Sequence, residues 1–182
     1  VSGTASIGQG EPDATIIYVM DFSGSTGASG GACGTILACE QSFFVGLNAA
    51  AIADGSTDEV AVVKYAAASS IALGLTPPGN AAVNAAINSG SPGGGTNCAA
   101  GLADALTLVN ASTNGTKIVV FASDGFCNVG ANVSGPAGAL GARELSRRSG
   151  GRIRAARRAR RPVARNPARS LCKGALHRAG RF

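Results

Sequence analysis

The sequence predicts an α/β fold, a doubly wound and mostly parallel sheet with helices on both faces. Apolar runs such as Thr15–Met20 and Lys117–Ser123 are nearly continuous, which is typical of parallel strands that are covered on both faces. Helical stretches lie between such runs, and strands that alternate with helices indicate a doubly wound sheet. In these sheets ligands bind beyond the carboxyl ends of the strands, so we expect a functional site there.

The first half of the predicted domain contains a strand, a helix and a pair of strands. Thr15–Met20 is the first strand, and the Gly-, Ser- and Thr-rich residues 22–38 form the loop after it. Glu40–Ala53 is predicted to be a helix because four apolar side chains are spaced to share one face, namely Phe43, Phe44, Leu47 and Ala51. Val60–Tyr65 is the second strand, and Ser70–Leu75 is a third that can pair with it as a hairpin.

The second half contains two helices and a last strand. A Pro-Pro-Gly sequence stops the third strand, and Asn80–Asn88 follows as a short helix. The helix Asn97–Val109 shows apolar residues at i, i+4 and i+7, and Lys117–Ser123 is the fourth strand. We expect the sheet to be truncated after this strand, because the regular pattern dissolves from Arg143 onward.

Charge divides the 182-residue chain into two unlike parts, so the formal net charge of +6 describes neither. Residues 1–142 contain two basic and nine acidic side chains, whereas residues 143–182 contain thirteen Arg, one Lys and one Glu. We therefore predict a flexible lead-in at residues 1–12, a domain at residues 13–142 and an Arg-rich tail at residues 143–182.

Three interpretations of the Arg-rich tail remain open. It can be a basic arm that binds nucleic acid, but aromatic residues are scarce and no recognition fold is visible, so nucleic acid is not an expected partner. It can be a solvated, disordered linker. The interpretation that we favour is a shift of reading frame near residue 142, since Arg, Ala, Gly and Pro are the residues that GC-rich codons yield by accident.

Four of the five cysteines lie in the acidic part, where they can form two bridges. Cys33 and Cys39 would close a short loop, and Cys98 and Cys127 would join two longer segments. Bridges would indicate an oxidising, extracytoplasmic setting, and buried thiols are the alternative. The chain contains no C-x-x-C pair and its single His lies in the tail, so a zinc site is not expected.

Targeting signals are not visible in the sequence. The first residue is not Met, no signal-type segment is present, and no apolar run reaches the roughly 18 residues of a membrane span. We therefore expect a piece of a longer product or a mature form, with no membrane span in this chain.

Side-chain oxygens gather where predicted strands end. Asp21, Ser23 and Ser25 alternate directly after the first strand, Thr96 follows three glycines before a helix, and Asp124 ends the fourth strand. Oxygen side chains are the ligands of hard cations such as Mg²⁺. Hydroxyl ligands, unlike a full set of carboxylates, leave the cation able to take an acidic ligand from outside.

This arrangement resembles the metal-ion-dependent adhesion site of von Willebrand factor A-type domains, over about residues 13–142. The resemblance implies a Rossmann-like sheet in which the first and fourth strands are neighbours at the centre. It also implies a cation, Mg²⁺ or else Mn²⁺ or Ca²⁺, held by Asp21, Ser23, Ser25, Thr96 and Asp124. It further implies that two hydroxyls bind the ion directly, that the carboxylates reach it partly through water, and that an Asp or Glu of a protein ligand completes the octahedron.

Three enzymatic functions fit the sequence less well. The phosphate-binding pattern G-x-x-x-x-G-K-[ST] is absent. Phosphotransferases with an Asp nucleophile carry a second Asp two residues later, where Ser23 stands here. Serine hydrolysis needs a histidine base and a nucleophile elbow, and Gly24-Ser25-Thr26-Gly27 is one residue short of that elbow.

We therefore expect a non-enzymatic adhesion module, a metal-dependent domain that binds a protein ligand through its carboxylate. The expected location is extracellular or at the cell surface, secreted and of bacterial type. The alternative is an A-type subunit of an intracellular chelatase-like or ATP-driven assembly, and the state of the cysteines separates the two.

Overall fold

The fold is that of a computed structural model, which describes residues 13–130, residue 136 and, for the backbone alone, residues 175–176 and 180–181. The four main strands are β1 (Ala14–Asp21), β2 (Thr57–Tyr65), β3 (Ser69–Thr76) and β4 (Thr116–Ser123). The helices are α1 (Ile36–Asp54), α2 (Ala81–Asn88) and α3 (Cys98–Ala111), and short 3-10 turns at Gly24–Gly27 and Gly31–Cys33 precede α1.

All seven predicted elements are present, and α1 differs most in its bounds. It begins at Ile36 rather than Glu40 because Thr35 caps it: the Thr35 hydroxyl accepts a hydrogen bond from the backbone N–H of Ala38 at 3.1 Å. A threonine in this position satisfies one of the N–H groups that the first helical turn leaves without a partner.

The main strands lie in the order β3-β2-β1-β4. β1 pairs in parallel with β2 on one side and with β4 on the other, and β2 pairs antiparallel with β3. The predicted hairpin and the predicted contact between the first and fourth strands are confirmed. Because β1, β2 and β4 are parallel, their carboxyl ends meet at one edge of the sheet.

Helices cover both faces of the sheet, as predicted. On one face α1 and α2 pack against strand residues, in a core that includes Tyr18, Met20, Phe44, Val62, Val83 and Ile87. On the other face α3 packs against alternate strand positions, in a core that includes Ile17, Val19, Val63, Ala105, Leu108 and Val109. Successive side chains of a strand point to opposite faces, which is why nearly every residue of β1 is buried.

The buried face of α1 differs from the predicted one. Phe44 and Ala51 are buried as expected, but Phe43 is 37% exposed and the polar Asn48 lies in the core. Asn48 accepts a hydrogen bond from the Tyr18 hydroxyl at 3.4 Å and donates one to the Pro78 carbonyl at 3.0 Å. By length and composition alone α1 could cross a membrane; these core contacts are those of a helix in a folded domain.

The tail contributes two short strands to the sheet. β5 (Ala175–Leu176) and β6 (Gly180–Arg181) both pair antiparallel with β4 along its outer edge. The predicted lead-in at residues 1–12 and most of the Arg-rich tail lie outside the described residues, so the three interpretations of the tail remain predictions.

Candidate metal centre

Backbone hydrogen bonds fasten the loop after β1 to the glycine-rich loop before α3. Gly24 N–H donates to the Gly94 carbonyl at 2.9 Å, and Gly93 N–H donates to the Phe22 carbonyl at 2.8 Å. A Cβ atom at Gly24 would lie 3.3 Å from the Gly94 carbonyl oxygen, so a glycine suits this close approach. The two loops that carry the predicted hydroxyl ligands therefore lie side by side.

Asp21 is fully buried at the end of β1, where three hydrogen-bond donors surround its carboxylate. Its Oδ1 accepts from the Ser23 N–H at 2.8 Å, and its Oδ2 accepts from the Ser123 hydroxyl at 3.1 Å. The Tyr65 hydroxyl lies 3.2 Å from Oδ2 and 2.6 Å from the Ala122 carbonyl oxygen. Burial, followed by the charge of Asp21, raises the pKa of Tyr65 above its usual range, so this hydroxyl remains a donor.

Ser23, Ser25 and Asp124 form a chain of side-chain oxygens in front of Asp21. The Ser23 and Ser25 hydroxyl oxygens are 3.0 Å apart, and the Ser25 hydroxyl donates to Asp124 Oδ1 at 3.0 Å. Ser23 is buried, whereas Ser25 is exposed and Asp124 half-buried. The chain of oxygens therefore runs from the interior to the surface, so its outer end is open to a partner.

Thr96 lies on the adjacent loop, and its hydrogen bonds run through its backbone. Its N–H donates to Asn128 Oδ1 at 2.8 Å, and its carbonyl accepts from the N–H groups of Asn128 and Val129 at 3.0 and 3.2 Å. Within residues 13–130 no hydrogen bond joins the Thr96 hydroxyl to the other four predicted ligands. The structure thus links four of the five directly and places the fifth on the neighbouring loop.

Two disulfides are present near these loops, and one of them joins the loops of the site. Cys98–Cys127 joins the first residue of α3 to the loop that follows Asp124, and Cys33–Cys39 joins the second 3-10 turn to the beginning of α1. Both are the pairings that we considered from the sequence. The first of them, together with Asn128, holds the loop of Asp124 against the loop of Thr96.

Glu40 is a third carboxyl group near the site, which we did not predict. Its Oε2 accepts a hydrogen bond from the backbone N–H of Asp21 at 3.3 Å. Burial first, and then the charges of Asp21 and Asp124, raise the pKa of Glu40 to about 8. At neutral pH Glu40 is therefore mostly protonated.

The donor set fits a small hard cation. Hydroxyl and carboxylate oxygens are the ligands that small hard cations take, and the Ser25 hydroxyl oxygen lies 3.0 Å from that of Ser23 and 3.0 Å from Asp124 Oδ1. Hydroxyl groups make up most of this donor set. Among the described residues, no three His, Cys, Asp or Glu side chains lie close enough together to hold a metal ion by themselves. Two carboxylate charges would balance those of one divalent cation.

Sequence reasoning missed four side chains that shape the site: Tyr65, Ser123, Glu40 and Asn128. Ser123 and Tyr65 end β4 and β2, so the rule that ligands bind at strand ends could have found both. Glu40 and Asn128 carry no such signal. Glu40 lies in a helix and Asn128 in a loop, and their proximity to the site becomes visible only when the positions of the neighbouring loops are known.

Comparison with known proteins agrees with this architecture. The profile of the von Willebrand factor type A domain matches residues 16–126, which is more than half of the chain. The fold and the site together define a class of protein: a doubly wound α/β domain with an oxygen-rich site at the strand ends. The chain belongs to the von Willebrand factor type A domain family.

Similar solved structures come from bacterial pili. The PilB minor pilin from Streptococcus sanguinis superimposes with a TM-score of 0.58 at 19% identity, over 64% of this chain and 31% of its own. The vWF domain of the type V pili tip protein Mfa5 from Porphyromonas gingivalis gives 0.50 at 22% identity, over 63% and 38%. The chain thus spans about a third of the length of these structures, and the likeness is one of fold. No curated protein matches the chain significantly.

Proposed function

We propose that this domain is a non-enzymatic adhesion module that binds a protein ligand through a divalent cation. Asp21, Ser23, Ser25, Thr96 and Asp124 would hold the cation, with Mg²⁺ preferred and Mn²⁺ or Ca²⁺ as substitutes. A bound cation would supply a positive centre for an Asp or Glu carboxylate of the partner. The observation that carries the proposal is the hydrogen-bonded series from Asp21 to Asp124: the Ser23 N–H donates to Asp21 Oδ1, and the hydroxyl oxygens of Ser23 and Ser25 lead on to Asp124 Oδ1.

Neutral hydroxyl ligands are central to this proposal. A serine hydroxyl can offer a lone pair to a cation while it donates a hydrogen bond to a carboxylate. Ser25 already donates such a hydrogen bond to Asp124. The carboxylates then balance charge without all of them entering the coordination sphere. A cation held so retains more affinity for an external carboxylate than one that is surrounded by acids.

The experiment is calorimetric titration of the full chain with Mg²⁺, before and after Asp21→Ala. We expect the substitution to abolish binding, and Asp54→Ala to leave it unchanged, because Asp54 ends α1 at the far side of the domain. Circular dichroism checks that both variants fold, and Asp124→Asn provides a second, half-buried position. Equal Mg²⁺ binding by wild type and the folded Asp21 and Asp124 variants would overturn the proposal.

We further propose that the protein works at the bacterial cell surface or in the secreted space. Its disulfides suit an oxidising compartment, and the similar structures are a minor pilin and a pilus tip protein by name. Mass measurement of protein from its native host, without reductant, tests this. Four free thiols among Cys33, Cys39, Cys98 and Cys127 would favour the intracellular, chelatase-like alternative instead.

A further inference from the structure

Phe126 is the most exposed large apolar side chain among the described residues, with 93% of its surface open to solvent. Phe22 and Phe44 are buried, and Ile52 and Ile71 are 50% and 41% exposed. Half-exposed residues of that kind are ordinary on protein surfaces. An almost fully solvated Phe ring beside a candidate binding site is not ordinary, because most of its hydrophobic surface remains in contact with water.

The backbone holds Phe126 in this exposed position from both sides. Before it, Asp124 is tied to Ser25 across the site. After it, Cys127 is bonded to Cys98, and Asn128 exchanges hydrogen bonds with Thr96. The backbone is therefore restrained on both sides of Phe126, and an inward movement of this segment would disturb the loop that carries the candidate ligand Asp124.

Phe126 also lies within reach of whatever binds at Asp124. Two residues of extended chain span at most about 7 Å, and the residue next to a ligand's acid has its Cα about 3.8 Å from that of the acid. The ring can thus contact a side chain adjacent to the bound carboxylate. The two adjoining loops expose several residues without long side chains, namely Gly24, Gly27, Ala28, Pro92, Gly93 and Gly94.

Among residues 13–130, basic side chains offer the candidate site little further basis for selecting a ligand by charge. The basic side chains of the described residues are Lys64 and Lys117, and both are engaged elsewhere. Lys64 Nζ bonds Ser89 and lies 4.5 Å from the centre of the Phe22 ring, and the buried Lys117 donates to the Val109 carbonyl at 2.9 Å. With a divalent cation balancing the formal charges of Asp21 and Asp124, the described side chains of these loops would carry no net charge, which favours an apolar neighbour over a charged one.

We infer that Phe126 is an apolar anchor of the ligand-binding face, and that the partner is a protein segment whose Asp or Glu is flanked by a large apolar side chain. This inference rests on the proposed function and names the class of ligand that it would select. Burying part of the Phe126 ring against an apolar side chain would tighten binding about five- to tenfold.

The test measures binding of the full chain to peptides displayed densely on a sensor surface, in Mg²⁺ and in chelator. The peptides place Gly, Leu or Lys on either side of one Asp in a glycine background. We expect the Leu-flanked peptides to bind about five- to tenfold tighter than the Gly-flanked one. Phe126→Ser should remove this preference, while the matched control Ile52→Ser, an exposed apolar residue on α1, should keep it.

Calorimetry and melting separate the possible failures. Unchanged Mg²⁺ affinity and melting temperature in Phe126→Ser, with the preference lost, support the inference. The inference is overturned if Phe126→Ser keeps the preference for Leu, or if the wild type prefers Lys. It is also overturned if Phe126→Ser lowers the melting temperature more than Ile52→Ser does, since this result would mean that the ring packs against its own chain. Mg²⁺ binding with equal affinity for all peptides overturns the inference alone. Absence of Mg²⁺ binding, or of any Mg²⁺-dependent peptide binding, overturns the proposed function with it.

Discussion

Ser25 and Asp124 are 99 positions apart in the chain, and the Ser25 hydroxyl donates a hydrogen bond to Asp124 Oδ1 at 3.0 Å. One residue follows β1 and the other follows β4, so this contact exists because the two strands are parallel neighbours. It joins the loop of hydroxyls to the loop of the second carboxylate and gives the candidate site its continuity.

The first prediction concerns this contact. Ser25→Ala should lower Mg²⁺ affinity at least about tenfold, since it removes an oxygen of the proposed coordination set and even supporting residues of metal sites cost that much. The free energy of unfolding without metal should change by less than about 1 kcal/mol, because Ser25 is exposed. Calorimetry and urea unfolding measure the two quantities. Ser29→Ala is the control on the same loop, and an equal effect of both substitutions would contradict the assignment of Ser25.

The second prediction concerns Glu40 and pH. Its pKa is about 8 in the folded protein against 4.5 for the free side chain. The folded state thus holds this proton more tightly, so the contribution of Glu40 to stability is fully present below pH 4.5 and is lost as pH rises toward 8. Glu40→Gln stays neutral throughout and should therefore gain stability relative to wild type, by up to a few kcal/mol between about pH 5 and 8.

Urea unfolding at both pH values, with chelator present, measures this difference. The chelator is needed because a bound cation would favour the ionised carboxyl group. A difference between wild type and Glu40→Gln that does not change with pH would show that Glu40 titrates normally.

The third prediction concerns the disulfide Cys98–Cys127. Replacing both cysteines with Ser should lower the free energy of unfolding by roughly 3.6 kcal/mol, against roughly 2.4 kcal/mol for the Cys33–Cys39 pair, because the bridge closes a longer loop. The Cys98–Cys127 variant should also lose Mg²⁺ affinity, since the bridge holds the loop of Asp124. The Cys33–Cys39 variant is the control, and an equal loss of Mg²⁺ affinity in both would argue against a specific role of the first bridge.

The fourth prediction concerns the packing behind Asp21. A Cβ atom at Gly101 of α3 would lie 2.9 Å from Cδ1 of Tyr65, whose ring is stacked on Phe121 with centroids 5.2 Å apart. Gly101→Ala should therefore destabilise the domain by about 1–2 kcal/mol, because the clash outweighs the higher helix propensity of Ala.

Gly46→Ala on α1 is the matched control. A Cβ atom there meets nothing within 4 Å, so helix propensity alone acts and we expect a stabilisation of up to about 1 kcal/mol. Urea unfolding measures both variants. Stabilisation of both proteins would mean that Tyr65 moves aside without cost.

Much of the fold was predictable because hydrophobic periodicity is a local property. The nearly continuous apolar residues of β1 and β4 indicate buried parallel strands, and a Gly-rich or capped boundary marks most helix ends. The buried face of α1 was predicted less well. Hydrophobicity alone would bury Phe43 and expose Asn48, but Phe43 is partly exposed and Asn48 is buried. Burial of Asn48 is possible because its side chain hydrogen-bonds Tyr18 and Pro78.

The amino-acid sequence by itself determined the strands, the helices and the oxygen-bearing residues at their ends, since each of these depends on neighbours within a few positions. Only the tertiary structure decided that Ser25 bonds Asp124, that Tyr65 and Ser123 support Asp21, and that Glu40 lies close enough for burial and charge to raise its pKa. The physical reason is that hydrogen bonds and charge interactions depend on distances in space, and those distances are set by the pairing of β1 with β2 and β4 rather than by separation along the chain.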